Sequence, residues 1–596
     1  MSETKKTETP AEQKPEKANE KKPAKKRQPA AKPQGQGTRR RQKPKLPMRI
    51  IPLGGLDEIG KNITLFEYGN DIIIVDCGIT FPDADMPGVD LVIPDFTYVL
   101  KNADRIRGIF LTHGHEDHIG SLPYLLKEAR IPLYGTRLTL GLVEGKLREH
   151  GLSGMIELNV TNPGDVIKLG AFTVEFIHVN HSIPDAVALA IKTELGTIVH
   201  TGDFKIDTTP IDGDIIDLAR FSQLGREGVL LMMSDSTNAT RPGYTMSERK
   251  VGESFESLFR KAEKKRLIIA TFSSNIHRIQ QIVDCAVRYG RKVAVVGRSM
   301  LNVVQVGMDL GYLQIPENVL INISLINRYS DDQLVIITTG SQGEPMSALH
   351  RMAFSDHRKV EISPNDCIII SASPIPGNEK LVSKVIDELM KLGAEVVYEK
   401  MYEVHVSGHA CQEEQKLLMG IVKPKFFMPV HGEQTHLRKH AELALSMGIP
   451  KENILITSIG RVVELTAKSM KVGGLVPAGR VMVDGLGVGD VGSIVLNDRK
   501  HLAQDGIIVV VMTIDSASGE IVSGPSLVSR GFVYVRESEE LIDEARVQAQ
   551  RVAEHCVESG IRDWTTIKNK IKDELSGMMY ERTKRSPMIL PVIMEV

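Results

Sequence analysis

Between positions 113 and 118 stand four side chains able to hold a metal ion: His113, His115, Asp117 and His118, in the run His113-Gly-His-Glu-Asp-His118-Ile-Gly120. Imidazole suits zinc and similar borderline ions, and a carboxylate adds charge and can serve a second ion. Residues 106–112 read as a buried strand, so these ligands fall on a loop at its C-terminal end. There His113 and His115 can turn to one ion, and Asp117 and His118 to another. Three further segments repeat the order of strand, then ligand: His178-Val-Asn-His181-Ser-Ile-Pro-Asp185, His200-Thr-Gly-Asp203 and Pro429-Val-His431-Gly-Glu433. Singly, a histidine after a strand is as readily a satisfied polar group as a ligand. Together the segments supply the three or four protein ligands per ion that a dinuclear centre needs. Such a centre lowers the pKa of a water towards neutrality and offsets charge developing on phosphoryl oxygens, which is the chemistry of phosphodiester hydrolysis.

The elements that must position these residues are legible in outline. Short strands at 63–68 and 71–76 join through a Gly69-Asn70 turn. Residues 106–112 form the next strand, with a helix from about 120. Strands follow at 172–178, 187–192 and 197–200. From about 246 helix and strand alternate: helices at 248–264, 275–289 and 380–392, and strands at 267–271, 293–296, 335–338 and 367–371. That alternation marks a parallel α/β unit. A helix at 412–422 and a strand at 426–429 return to the histidine-rich region. The glycines around 473–479 suggest a linker. Beyond it a small α+β module has strands at 507–514, 531–535 and 588–595. Its helix at 539–556 carries an apolar stripe of Leu541, Ala545, Ala549, Val552 and Cys556.

Bulk properties narrow the class. The chain has 596 residues, 42% hydrophobic and 25% charged, which is material for three or four globular domains. No apolar run is long enough to span a membrane, and the lysine-rich start is no secretory signal, so a cytoplasmic location is expected. The five cysteines (Cys77, Cys285, Cys367, Cys411, Cys556) form no CxxC pair and read as buried thiols. The net charge of −1 hides an asymmetry. Residues 1–46 hold fifteen Lys/Arg and five Glu, the rest 59 Lys/Arg and 70 Asp/Glu. The basic segment lacks apolar content and is expected to be a disordered tail, able to engage a polyanion or to serve solubility alone.

The HxHxDH run, with Val75-Asp76-Cys-Gly78, His181, His200-Thr-Gly-Asp203 and His431 in order, resembles the metallo-β-lactamase superfamily. The α/β stretch between Asp203 and His431 resembles the β-CASP insertion of its nucleic-acid-processing members. Ser234-Asp-Ser-Thr-Asn238, Thr245-Met-Ser-Glu248, Ser274-Asn-Ile-His277, Gly297-Arg-Ser-Met300, Thr339-Gly-Ser-Gln-Gly-Glu-Pro345 and His405-Val-Ser-Gly-His409 are similar to the bacterial ribonuclease J family, over about residues 47–596. The resemblance implies an α/β architecture: a metallo-β-lactamase αββα sandwich with an inserted β-CASP α/β domain and a small C-terminal α+β domain. The corresponding boundaries are 1–46 tail, 47–245 first part of the metallo-β-lactamase domain, 246–402 β-CASP, 403–467 return segment, 468–480 linker and 481–596 C-terminal domain.

It also implies roles. His113, His115 and His181 would hold one ion, and Asp117, His118 and His431 the other, with Asp203 bridging and Asp76 orienting a ligand histidine. Glu248 matches the acidic β-CASP motif, and His409, oriented by it, would be the general acid beside the catalytic Asp117. Ser274, Asn275 and Ile276, with His405, Val406, Ser407, Gly408 and His409, would contact substrate phosphate. The cofactors would be two divalent ions, Zn2+ or Mn2+, with Asp484 a ligand for a further structural cation. The activity implied is 5′→3′ exonuclease action favoured by a 5′-monophosphate, together with endonuclease action, in rRNA processing, RNA maturation and mRNA decay. RNA would be the partner. The C-terminal domain would form a homodimer or homotetramer, and the tail would meet RNA-degradation complex partners. A DNA-directed β-CASP nuclease is the nearest alternative, because hydrolysis by water does not need a 2′-OH. A small-molecule hydrolase lacks the insertion and the 405–409 segment, and a non-catalytic scaffold need not keep every ligand.

Overall fold

The computed structural model describes residues 46–596, apart from positions 84, 212, 376, 516, 519 and 533–538. Two sheets face each other. The first runs Met470–Leu475, Arg461–Leu465, Met48–Pro52, Thr64–Tyr68, Asp71–Val75, Ile106–Phe110, Leu133–Gly135, Leu158–Val160; the second runs Phe426–Val430, Val229–Asp235, Gly196–His200, Val187–Thr193, Phe172–His178, Val166–Leu169. Alternation of side chains across a strand explains the uninterrupted Ile72-Ile-Ile-Val75 run. Ile73 and Val75 join Phe66, Phe110, Phe176 and Met428 between the sheets, while Ile72 and Ile74 face outward. There they meet Leu125 of Leu122–Glu128 and Val143 of Arg137–Glu149. Leu218–Glu227, Gln412–Val422 and Gln434–Ser446 cover the second sheet through Phe221, Leu418 and Ala444. This is the expected αββα sandwich.

The insertion is a six-stranded sheet whose pairings are all parallel, ordered Leu320–Ile321, Lys292–Val296, Leu334–Thr338, Arg266–Ala270, Asp366–Ile370, Glu395–Val397. Helices cover both faces, so its strands carry continuous apolar runs, as in Leu267-Ile-Ile-Ala270. At the C-terminal end Ile521–Arg530, Ile507–Ile514 and Met588–Glu595 form a sheet covered by Glu539–Glu558 and Trp564–Thr583. No described helix is long and apolar enough to cross a membrane.

Three expectations change. Residues 468–480 are not a linker. A tight turn, with Thr466 N–H donating to Ser469 O at 2.8 Å, folds Met470–Leu475 back onto Arg461–Leu465 as an edge strand, where Gly473 and Gly474 are tolerated. The module's second strand in chain order is Ile521–Arg530, on one side of the central Ile507–Ile514; Gly531 and Phe532 form a bend after it, and positions 533–535 lie outside the described residues. The helices Ser493–Asp505 and Trp564–Thr583 were not foreseen. The proposed tail, up to position 45, also lies outside the described residues.

Candidate metal centre

The parallel ladder Gly196–His200, Val229–Asp235, Phe426–Val430 delivers three chain segments to one end of the second sheet. Asp203 follows the first strand, Asp235 ends the second, and His431 follows the third. The end of Ile106–Phe110 comes from the facing sheet. His113 follows that strand, and His115, in extended backbone, precedes the helical turn Glu116–Ile119, which turns Asp117 and His118 in another direction. Neighbouring residues thereby serve two clusters. Gly78 makes this possible, because a Cβ there would lie 1.6 Å from the Asp117 carbonyl oxygen.

In the first cluster His115 Nδ1 is 3.0 Å from His113 Nε2 and 3.1 Å from His181 Nε2. In the second, Asp117 Oδ2 is 3.6 Å from His118 Nε2 and 3.4 Å from His431 Nε2. Asp203 stands between them. Its Oδ2 is 3.2 Å from His118 Nε2, 3.7 Å from His113 Nε2 and 3.8 Å from His181 Nε2, while Oδ1 accepts from His431 Nδ1 at 2.8 Å. The clusters His113/His115/His181 and Asp117/His118/Asp203/His431 each gather their ligand atoms within 4.8 Å.

Outer partners fix the rings. Asp76 accepts from Thr112 N–H (2.8 Å), Thr112 Oγ1 (2.9 Å) and His118 Nδ1 (2.8 Å). His181 Nδ1 meets the Gly408 carbonyl at 2.7 Å, so Nε2 faces the cluster. Position 408 must be glycine, since a Cβ would lie 2.6 Å from His181 Cε1.

Electrostatics divide the set. Burial holds His113 and His181 far below the usual imidazole range, helped by neighbouring rings, and holds His115 at about 4. Burial opposes charge on His118 and His431 too, but the carboxylates of Asp203 and Asp117 prevail; His118 is raised well above normal and His431 to about 10. Burial likewise opposes charge on Asp117 and Asp203, yet His118 and His431 hold both below the carboxylate range. His431 Nε2 is buried without a hydrogen bond. A buried array of imidazole nitrogens around a shared carboxylate, with one ring nitrogen unbonded, fits two borderline divalent cations.

Other expected residues sit elsewhere. His178 Nε2 meets Asp214 O at 2.8 Å, Asp185 bonds the Tyr312 hydroxyl, and His200 Nδ1 accepts from Gly202 N–H at 3.2 Å. Exposed Glu433 caps the helix Gln434–Ser446. Asp484 pairs with Arg499, so a cationic side chain occupies the carboxylate expected to bind a cation.

Glu248 also departs from expectation. Its carboxylate bonds Arg278 at 2.8 and 3.0 Å. The carboxylate on His409 is Asp235, with Oδ2 2.9 Å from Nδ1. Asp235 raises the His409 pKa against burial, with help from Asp203. Asp235 was the missed residue. It closes a buried strand as the other ligand segments do, and it lay within a motif already noted, Ser234-Asp-Ser-Thr-Asn238.

Ser274 and Asn275 precede the helix Ile276–Arg288, and Asn275 Oδ1 accepts from Arg278 N–H at 3.1 Å. Ser407 Oγ accepts from Asn238 Nδ2 at 2.9 Å and from His409 N–H at 3.2 Å. The side chains of Ile276 and Val406 are buried in the core. Only their backbone can face a ligand.

The sandwich, its parallel insertion and the shared Asp203 define a metallo-β-lactamase-type hydrolase using divalent metal. Family models agree: the metallo-beta-lactamase superfamily over residues 56–270, the ribonuclease J beta-CASP domain over 264–389, a Zn-dependent metallo-hydrolase RNA specificity domain over 393–455, and the ribonuclease J C-terminal domain over 494–596. Ribonuclease J2 of Bacillus subtilis is 44% identical over 92% of this chain and 99% of its own length. Ribonuclease J of Thermus thermophilus is 46% identical over 92% and 95%, and ribonuclease J 1 of Streptococcus pyogenes 44% over 91% and 97%. The chain belongs to the ribonuclease J family.

Proposed function

We infer that the protein is a metal-dependent ribonuclease that hydrolyses RNA both from a 5′-monophosphate end, in the 5′→3′ direction, and internally, in rRNA processing and mRNA decay. The observation that carries this is the Asp203 carboxylate shared by two ligand clusters, with the His409–Asp235 pair beside it. His113, His115 and His181 would hold one ion and Asp117, His118 and His431 the other, with Asp203 between; Zn2+ suits the donor set and Mn2+ is the second choice. Two ions held there supply an activated water and offset charge on the phosphoryl oxygens.

The chain's own residues do the rest. Asp235 takes His409 Nδ1, leaving Nε2 to give a proton to the departing 3′ oxygen, and His409 is the more open member of that pair, at 21% side-chain exposure against 1% for Asp235. Water attack with loss of the 3′ oxygen leaves a 5′-phosphate on the downstream product. Ser274, Asn275, His405 and the backbone of Ile276, Val406 and Ser407–Gly408 would receive the terminal phosphate through neutral donors. A bulkier 5′-triphosphate should fit poorly.

The family model naming an RNA specificity domain favours RNA over DNA. We place the protein in the cytoplasm, with the basic tail meeting RNA-degradation partners. We also propose self-association through the C-terminal domain, supported by exposed Val522, Val528, Leu590 and Met594 on the two outer strands of its sheet. The test is a time course on 5′-monophosphate, 5′-triphosphate and circular RNA, with matched DNA. Wild type should cleave 5′-monophosphate RNA fastest and circular RNA detectably, and Asp117→Ala should cleave neither. Equal rates on DNA would replace this reading with the DNA-directed one.

A further inference from the structure

Arg278 has no exposed side-chain surface, although it belongs to the helix Ile276–Arg288 at the edge of the site. Its guanidinium spans three parts of the fold. Nε and Nη2 donate to the two oxygens of Glu248, and Nη1 donates to Ser371 O at 2.8 Å. Nη1 also lies 3.0 Å from His405 Nδ1. Arginine offers only donors and keeps its charge. His405 Nδ1 must therefore accept. An imidazole accepting at Nδ1 carries its hydrogen on Nε2 and is neutral. Among the described residues none bonds His405 Nε2.

The surroundings keep His405 uncharged. Burial comes first, followed by the positive charges of Arg278, Arg241 and Lys205 and by His409, and together they hold its pKa far below the usual imidazole range. Two of these charges are paired. Buried Lys205 pairs with Asp207 at 3.2 Å, Asp207 accepts from Glu248 N–H at 3.2 Å, and Glu248 balances Arg278.

We propose that Arg278, clamped by Glu248, is a positioning residue that locks His405 as a neutral Nε2–H donor to the 5′-phosphate of the RNA. This rests on the phosphate-pocket reading above, and it assigns Glu248 a task its place in the fold supports. An ordinary phosphate-binding histidine gains affinity on acidification as it takes up a proton. The locked His405 recognises the phosphate with the same donor across the neutral range.

Two measurements test this. The full chain, labelled with 15N at histidine and assigned by comparison with His405→Gln, should show His405 as the neutral Nε2–H tautomer from pH 5.5 to 8. A hydrogen on Nδ1, or titration near the ordinary histidine value of about 6.5, overturns the proposal. The second uses Arg278→Met combined with Glu248→Gln, so that no unpaired charge is left buried. Its KM for 5′-monophosphate RNA should rise roughly tenfold at pH 8 from a weakened charge-assisted hydrogen bond, and the rise should shrink towards pH 5.5 as the freed ring protonates. Its kcat should change less. A pH-independent KM equal to wild type overturns the proposal. If the double variant does not fold, the wild-type tautomer alone decides. If the tautomer is as stated but His405→Gln leaves the KM unchanged, the phosphate-pocket reading has failed and the donor role falls with it.

Discussion

Replacing Asp76 by asparagine should weaken metal binding while leaving the fold intact. Asp76 is buried and accepts three hydrogen bonds at 2.8–2.9 Å, two from Thr112 and one from His118 Nδ1. Asparagine keeps the shape. Its oxygen must face the Thr112 N–H, which turns its NH2 towards His118 Nδ1. His118 then has to accept at Nδ1 and carry its hydrogen on Nε2, the atom 3.2 Å from Asp203 and 3.6 Å from Asp117. A nitrogen bearing that hydrogen cannot ligate. Loss of an outer partner of a ligand histidine typically costs 10–100-fold in metal affinity, about 1.4–2.7 kcal/mol. The assay is competition with a chromophoric chelator, beside circular dichroism and thermal unfolding of the metal-free protein. One ion should weaken by that factor while the ion on His113, His115 and His181 holds. Unchanged affinity for both ions in a folded variant would refute the reasoning.

Gly408→Ala should displace His181, because the added carbon would lie 2.6–2.7 Å from two ring atoms; overpacking of this kind costs about 1–3 kcal/mol, and metal analysis should show loss from the three-histidine cluster. Ser407→Ala should slow digestion of 5′-monophosphate RNA more than cleavage of circular RNA, since Ser407 Oγ ties Asn238 to the His409 N–H; equal losses would count against the phosphate pocket. Burial first, then Glu256 for Cys285 and Glu395 for Cys367, push both thiols up to about 12. The folded protein thus keeps protons that the unfolded chain releases near pH 9, so this contribution is whole below pH 9 and is lost as pH rises towards 12. Native protein at pH 8–9 should react with a thiol reagent only as fast as it opens, and rapid labelling of these two cysteines would contradict that.

The convergence of the candidate ligands was legible because each follows a buried strand, and strand ends in one sheet converge by construction. The same rule contained Asp235, but an acid inside a strand-like run of Leu230-Leu-Met-Met-Ser-Asp235 reads as the strand's own end, and only the parallel pairing with Phe426–Val430 shows what it faces. Glu248 was misassigned because sequence cannot show that a fully buried arginine thirty residues on claims both its oxygens. Met470–Leu475 escaped notice because glycines weaken the strand pattern, and an edge strand draws its stability from its neighbour. The Arg499 partner of Asp484 was hidden for a similar reason, as it comes from a helix with little amphipathic pattern.

The most direct test of the central claim is RNA hydrolysis measured while divalent ion is returned stepwise to chelator-stripped protein. The account predicts no cleavage by the stripped chain and full activity at about two ions per chain. Undiminished hydrolysis after stripping, or full activity with a single ion, would contradict it.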